Sequence, residues 1–243
     1  MSTDLIKPAN ARLSQPLSLR AEDFIAQVLA LKPRLACFDC DGTLWSGDAG
    51  ADFFYWEIEQ GLLPPEVINW VVPRYADYKA GNVAEDVMCG EMVTIHKGIK
   101  ESDLRAAAKR FFAQVVQPRI FPEMFELTRR LAEAGCELWA VSSTNDWVVI
   151  EGVRQFGIPA ERVLAACVHC ESGNATDRLI RVPTDEDKAV AIREVIGRPI
   201  DTAFGNSVHD SAMLEIAKHA FAINPNPALK QVAQEKNWTI YQP

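Results

Sequence analysis

The chain has 243 residues, 48% of them hydrophobic and 24% charged; this is enough to bury a substantial core as one large domain or a domain with an insertion, and too apolar for a disordered chain. A formal net charge of -8 at pH 7, with no dense block of Lys and Arg, leaves no electrostatic footprint for nucleic acid. The opening stretch MSTDLIKPANARLSQ lacks the apolar centre of an export signal, and no apolar run approaches the roughly 20 residues that cross a bilayer. The six cysteines suit a reducing compartment better than a disulfide scaffold, so a cytoplasmic protein with no membrane partner is expected.

In chain order, Ser18 is placed to cap a helix over about 20–31, which Lys32-Pro33 stops, and the run RLACFD (34–39) then reads as a buried strand. From 46 to 118 no strand pattern occurs; ADFFYWEIEQG, EVINWVVPRYADYKAG, AEDVMCGEMVTIHKG and SDLRAAAKRFFAQ all read as helices. A helix over about 123–134, stopped by Gly135, leads to the strand CELWAVSS (136–143). There follow a helix after Asp146, a strand at RVLAACV, a helix after Asp185, a strand at DTAFG, a helix over about 209–218 and a strand at FAIN. Helices alternating with short apolar strands predict an α/β fold, a doubly wound, Rossmann-like parallel sheet covered on both faces, with ligands at the carboxyl ends of the strands. The expected division is an α/β core over 18–45 and 119–243 with an all-helical cap subdomain inserted over 46–118.

The stretch ACFDCDGTLW puts Asp39 and Asp41 at the end of the first strand. Residues i and i+2 of a strand point the same way, so the two carboxylates converge on one site while Cys40 turns away, and Gly42 lets the backbone turn without a side chain. Converging carboxylates repel and raise a pKa unless a cation intervenes, and Mg²⁺ is the usual choice where phosphate is also bound. Taken alone, DCDG reads equally well as an Asp-Gly turn.

Three later features occur in order: serines at the end of the next strand (AVSST), a lysine opening a later helix (DEDKAVAI) and an acidic loop after a further strand (AFGNSVHDSAML). Together with DCDGT they resemble the haloacid dehalogenase-like superfamily, most closely its phosphoserine-phosphatase-like branch, over about residues 34–225. The resemblance implies a Mg²⁺-dependent phosphatase acting on a small phosphomonoester through a phospho-aspartyl intermediate. By position Asp39 is the nucleophile and Asp41 the general acid and then base, its backbone carbonyl also on Mg²⁺. Dehalogenases of the superfamily lack that second aspartate, so Asp41 favours phosphoryl transfer. Ser142, with Ser143 beside it, matches the phosphoryl-binding position, and Lys188 matches the lysine that neutralises the nucleophile and the transferring charge. Asn206 stands where most relatives carry aspartate, and Asp210 matches the second acidic position, so the implied metal set is Asp39, Asp41, Asn206 and Asp210. Asp48 corresponds to an acidic residue that holds a substrate amine, whereas the arginine that holds a substrate carboxylate is replaced by Met92.

Other readings of these residues stand beside that one. Ser142 fits a helix-capping stretch, Lys188 a solvated first-turn residue and His209 an exposed helix start. Cys37/Cys40 and Cys167/Cys170 have CxxC spacing, but positions i and i+3 of a strand face opposite ways, which favours core thiols over zinc. The aromatics Phe53, Phe54, Tyr55, Trp56, Trp70, Tyr75 and Tyr78 at helical spacing read as cap core before they read as a cage for a quaternary ammonium. Two further functions fit the motifs: a binding or regulatory protein whose metal site Asn206 has weakened, and a phosphotransferase with an acceptor other than water.

Overall fold

The computed structural model describes residue 13 and residues 16–243; apart from Leu13, the stretch read above for an export signal lies outside the described residues. Ser18 accepts a hydrogen bond from the Ala21 backbone N–H (3.2 Å) and caps α1 (Leu19–Ala30), as a serine before an amphipathic run should. β1 (Leu35–Phe38) follows, buried along its length. Four helices then occupy the stretch without strand patterning: α2 (Ala49–Glu59), α3 (Pro65–Lys79), α4 (Glu85–Thr94) and α5 (Glu101–Phe111). α6 (Pro122–Glu133) ends at Gly135, in the left-handed region at φ +82°, and leads to β2 (Glu137–Asn145). The remaining elements are α7 (Asp146–Val153), β3 (Val163–Glu171), β4 (Asn174–Arg181), α8 (Glu186–Ala191), β5 (Ile200–Gly205), α9 (Ser211–Glu215), β6 (Ala217–Ile223), α10 (Pro227–Glu235) and β7 (Thr239–Tyr241).

The seven strands form one sheet in the order β4-β3-β2-β1-β5-β6-β7, parallel except for the antiparallel β3–β4 pair. Strand alternation divides the apolar side chains between two cores: Ala36 and Phe38 enter one, Leu35 and Cys37 the other. On the first face Phe38 stacks on Phe204 (4.4 Å between centroids) and Phe204 on Phe221 (4.8 Å). Phe24 of α1 closes this ring ladder against Phe221 and Tyr241, so β1, β5 and β6 are locked in register behind the site that β1 opens into.

The structure departs from the sequence-based elements in three places. The strand at RVLAACV runs on to Glu171 and turns at Ser172 (φ +49°) and Gly173 (φ +80°) into β4, a hairpin turn whose two left-handed residues suit the twist of the strands. The sheet therefore carries one antiparallel edge strand and is not wholly parallel. The helix expected over about 209–218 ends at Glu215, because Ala217 and His219 pair with Ile200 and Thr202 of β5 and draw this segment into the sheet as β6. β7 went unread because its three residues carry too short a pattern.

Within the helical stretch, Phe54, Leu63, Val71, Tyr75, Met88 and Ile95 form a cluster of their own, while Phe53 and the α5 residues Leu104, Ala107, Ala108 and Phe111 belong to the main core. His96 and Glu57 form a fully buried pair at 2.7 Å. Burial pulls this imidazole down, but the Glu57 charge and hydrogen bond and the Val93 carbonyl outweigh it, so the net shift is upward. The turn after α4 is stitched to the β3–β4 hairpin: Gly98 N–H donates to the Ala175 carbonyl (2.8 Å) and Ala175 N–H to the Ile99 carbonyl (2.9 Å). These bonds hold the helices over the carboxyl ends of the central strands.

Candidate active site

Asp39 leaves the carboxyl end of β1 with its N–H bonded to the Phe204 carbonyl (2.9 Å). Its Oδ1 accepts from Lys188 Nζ (2.8 Å) and its Oδ2 from the Thr43 hydroxyl (2.8 Å). Gly42, at φ +73°, makes the turn that follows, and the Cys40 carbonyl takes the N–H groups of Thr43 (3.1 Å) and Leu44 (2.8 Å). Cys40 itself points into the core, so the i, i+2 geometry holds: Asp39 and Asp41 open into one cavity. Asp41 is gripped differently. Its Oδ1 accepts from Trp45 Nε1 (2.6 Å) and the Ala49 N–H (2.7 Å), and its Oδ2 from the Thr144 hydroxyl (2.7 Å).

Lys188 is 2% exposed, and its ammonium is shared among Asp39 Oδ1, Asp210 Oδ1 (2.5 Å) and the Val141 carbonyl (3.1 Å). Burial works against its charge, but the two carboxylates outweigh that and push its pKa up. Asp39 is raised to about 6, by burial first and by the Asp210 charge second, with Lys188 and Thr43 opposing; two carboxylates dividing one ammonium leave each under-compensated. Asp41 is raised to about 7, by burial and then by the Asp48 charge, against the hydrogen bonds from Thr144 and Ala49. Both carboxyls are thus held above the ordinary carboxylate range, Asp39 beside the Lys188 ammonium and Asp41 with no ion-pair partner among the described residues.

The cavity, about 250 Å³, is walled on the sheet side by Asp39, Asp41, Ser142, Ser143, Lys188 and Asn206, and on the helical side by Asp48, Tyr75, Tyr78, Glu85 and Met92. Ser142 is buried and accepts the Thr144 N–H (3.2 Å). Ser143 and Cys89 line the same cavity. Asp48 caps α2 through the Ala51 N–H (2.9 Å). One residue of the expected set does not reach the cavity wall. Asp210, 1% exposed, gives one oxygen to Lys188 and the other to the N–H groups of Asn206 (2.8 Å) and Ser207 (2.9 Å). It braces the lysine and the loop that carries Asn206. His209 sits half-exposed at the rim, paired with Asp185 (2.8 Å).

The sequence of residues 36–215 matches the family described as haloacid dehalogenase-like hydrolase. The chain belongs to that family. Its relatives include a histidinol-phosphatase of Neisseria meningitidis serogroup C, 24% identical over 85% of this chain and 97% of that protein, and the phosphoserine phosphatase SerB1 of Mycobacterium tuberculosis, 26% identical over 84% and 69%. Among solved structures it is similar to a protein of unknown function from Bordetella pertussis Tohama I (TM-score 0.74, 23% identical, covering 86% of this chain and 97% of that one). It is also similar to a substrate-bound phosphoserine phosphatase complex (TM-score 0.56, 18% identical, covering 86% and 92%). The chain is a phosphoric monoester hydrolase of the haloacid dehalogenase-like family, with a phosphoserine-phosphatase-like fold.

In this phosphatase the fit of a metal can be judged from the donors. Among the described residues no group of three or more His, Cys, Asp or Glu side chains is arranged to hold a metal, so a cation must draw on other oxygens. The Asn206 amide lies against the 41–42 peptide, so close that a Cβ on Gly42 would fall 1.8 Å from its Nδ2. Neither that amide nor the Asp41 backbone carbonyl is engaged in a hydrogen bond among the described residues. Together with Asp39, which lines the same cavity, they offer hard oxygen donors carrying one formal charge, a donor chemistry that fits Mg²⁺ and not a thiolate-seeking ion. The CxxC cysteines lie elsewhere: Cys37 and Cys40 point into opposite cores, Cys167 is buried and Cys170 is exposed.

Three residues that touch the paired aspartates, Thr43, Trp45 and Thr144, carried no role in the sequence reading. Thr43 and Trp45 lie in the quoted ACFDCDGTLW stretch, and a hydroxyl four residues after Asp39 was the available signal. Glu85 and Cys89 had none, since they reach the cavity only through the packing of α3 and α4.

Proposed function

We propose that this phosphatase hydrolyses a small phosphomonoester through a phospho-aspartyl intermediate, with Mg²⁺ as its cofactor. The observation that carries this reading is the division of labour between two carboxylates in one cavity: Asp39 on the Lys188 ammonium, Asp41 raised to about 7. In the first step an Asp39 oxygen attacks phosphorus, the bond to the leaving oxygen breaks, and Asp41 gives that oxygen its proton. In the second step Asp41, now a carboxylate, takes a proton from water; the water oxygen attacks the same phosphorus, releasing inorganic phosphate and restoring Asp39. Lys188 offsets charge on Asp39 and on the transferring group, and the Ser142 hydroxyl and the neighbouring Ser143 bind phosphoryl oxygens. Mg²⁺, held by Asp39, the Asp41 carbonyl and Asn206, would supply positive charge against the phosphate dianion. Residues 46–118 serve as the cap that closes the cavity, and the names of the relatives support a small phosphorylated substrate.

Rapid acid quench during turnover of a radiolabelled ester, followed by borohydride reduction, tests the intermediate. Label and reduction product are expected at residue 39 and should vanish in Asp39→Asn. Normal turnover by that variant, or label elsewhere, overturns the mechanism, and product analysis with an added primary alcohol separates hydrolysis from transfer to another acceptor.

A further inference from the structure

The cavity wall carries four carboxylates, Asp39, Asp41, Asp48 and Glu85, against one lysine and no arginine. A phosphate dianion entering there is opposed by each of them that is ionised. At the sheet end Lys188 offsets Asp39, and the proposed Mg²⁺ would offset more of this charge. At the cap end the Lys79 ammonium acts on Asp48 from outside the wall, and neither Asp48 nor Glu85 forms an ion pair among the described residues. Glu85 is instead aimed by neutral donors, the Tyr78 hydroxyl on Oε2 and the Cys89 thiol on Oε1 (3.7 Å). Burial raises the Asp48 pKa against the Ala51 hydrogen bond and the Lys79 charge, and the Glu85 charge adds a smaller push in the same direction. The rings of Tyr75 and Tyr78 lie beside them in the same wall, their centroids 5.6 Å apart. Each already has the Lys79 ammonium at 5.9 Å on the exposed flank of α3, the separation at which a ring face attracts a cation.

Resting on the phosphatase reading above, we propose that the leaving group of the substrate carries an ammonium and no carboxylate, with Glu85 and the Tyr75 and Tyr78 rings forming its subsite in the cap. A protonated or quaternary amine at this end supplies the charge the wall lacks, and it does so only for the molecule that also presents a phosphate to Ser142 and Lys188. A substrate carboxylate would meet Asp48 and Glu85 with Met92 as neighbour and no guanidinium to receive it. Glu85 and the two tyrosines thereby set specificity and take no part in the transfer itself.

The test uses isosteric pairs. 2-Aminoethyl phosphate is compared with propyl phosphate, and 2-(trimethylammonio)ethyl phosphate with 3,3-dimethylbutyl phosphate, by kcat/KM with Mg²⁺ present; O-phosphoserine supplies the carboxylate arm and an aryl phosphate reports phosphatase activity alone. The charged member of at least one pair should be preferred by roughly tenfold to a hundredfold, the range for a hydrogen bond to a charged group, with O-phosphoserine poorer than 2-aminoethyl phosphate. Glu85→Gln, which keeps shape and both neutral neighbours, should narrow the charged-to-neutral ratio chiefly through KM. Equal rates within both pairs, preference for O-phosphoserine, or a ratio untouched by Glu85→Gln overturns the subsite while leaving aryl phosphate hydrolysis, and so the phosphatase reading, in place. If no ester is turned over, calorimetric titration with 2-aminoethylphosphonate against propylphosphonate still decides: tighter binding of the amine supports the subsite, and equal binding refutes it.

Discussion

Replacing Asp41 with asparagine should abolish the acid step and at the same time stabilise the metal-free protein above neutral pH. The isostere keeps every hydrogen bond: its oxygen can take the Trp45 and Ala49 N–H groups, and its amide can donate to the Thr144 hydroxyl that now donates to Asp41. What it removes is a carboxylate whose pKa rises from 3.8 to about 7 on folding. Between those values the native state binds more protons than the unfolded chain, so stability falls as pH rises through this window and levels off above about 7. Roughly three pH units correspond to about 4 kcal/mol; because Asp41 is partly open to the cavity, solvent screening reduces this to about 2 kcal/mol. For a chain of this size that is a melting-temperature gain of about 4–8 °C. Thermal unfolding of parent and Asp41→Asn with a chelator present, at pH 5 and pH 8, measures it. The advantage of the variant should be small at pH 5 and full at pH 8. A variant no more stable than the parent at pH 8, or a gap equal at both, would refute the claim that burial holds the Asp41 proton on.

The same two groups predict a bell-shaped dependence of kcat/KM on pH, with an acidic limb at about 6 or below from Asp39 and a basic limb near 7 from Asp41; Mg²⁺ should move only the acidic limb, to lower pH, and activity undiminished up to pH 9 would contradict the assignment of Asp41. Lys188→Met strands Asp39 and Asp210 beside each other in the core, so it should eliminate turnover and cost about 3–5 kcal/mol in urea unfolding, with part recovered when Asp210→Asn is added; additive losses in the double variant would show that the two do not act through the lysine. Asn206→Asp adds a charge to the proposed metal corner and should lower the Mg²⁺ concentration for half-maximal activity, whatever happens to the maximal rate; an unchanged midpoint would remove Asn206 from the metal.

Local chemistry was legible in the sequence wherever one strand and its turn sufficed. The apolar run before Asp39, the two-residue spacing to Asp41 and the glycine after it dictate the paired carboxylates, because strand alternation and the freedom of Gly42 are properties of a few consecutive residues. Ser18, Gly135 and the succession of strands and helices follow for the same reason, and they led directly to the α/β sheet. Partnerships across the chain were not legible. That Lys188 divides its ammonium between Asp39 and Asp210, so that Asp210 braces the loop of Asn206 from below the cavity, depends on how β1, α8 and the turn after β5 meet, and no sequence spacing encodes that meeting. The β3–β4 hairpin and the shortened α9 were settled by pairing across the sheet, which overrode the helical pattern near 217. The helices of 49–94 show the same limit most plainly: Tyr75 and Glu85 are ordinary residues of α3 and α4 until the packing of those helices brings them into one cavity with Asp39 and Asp41.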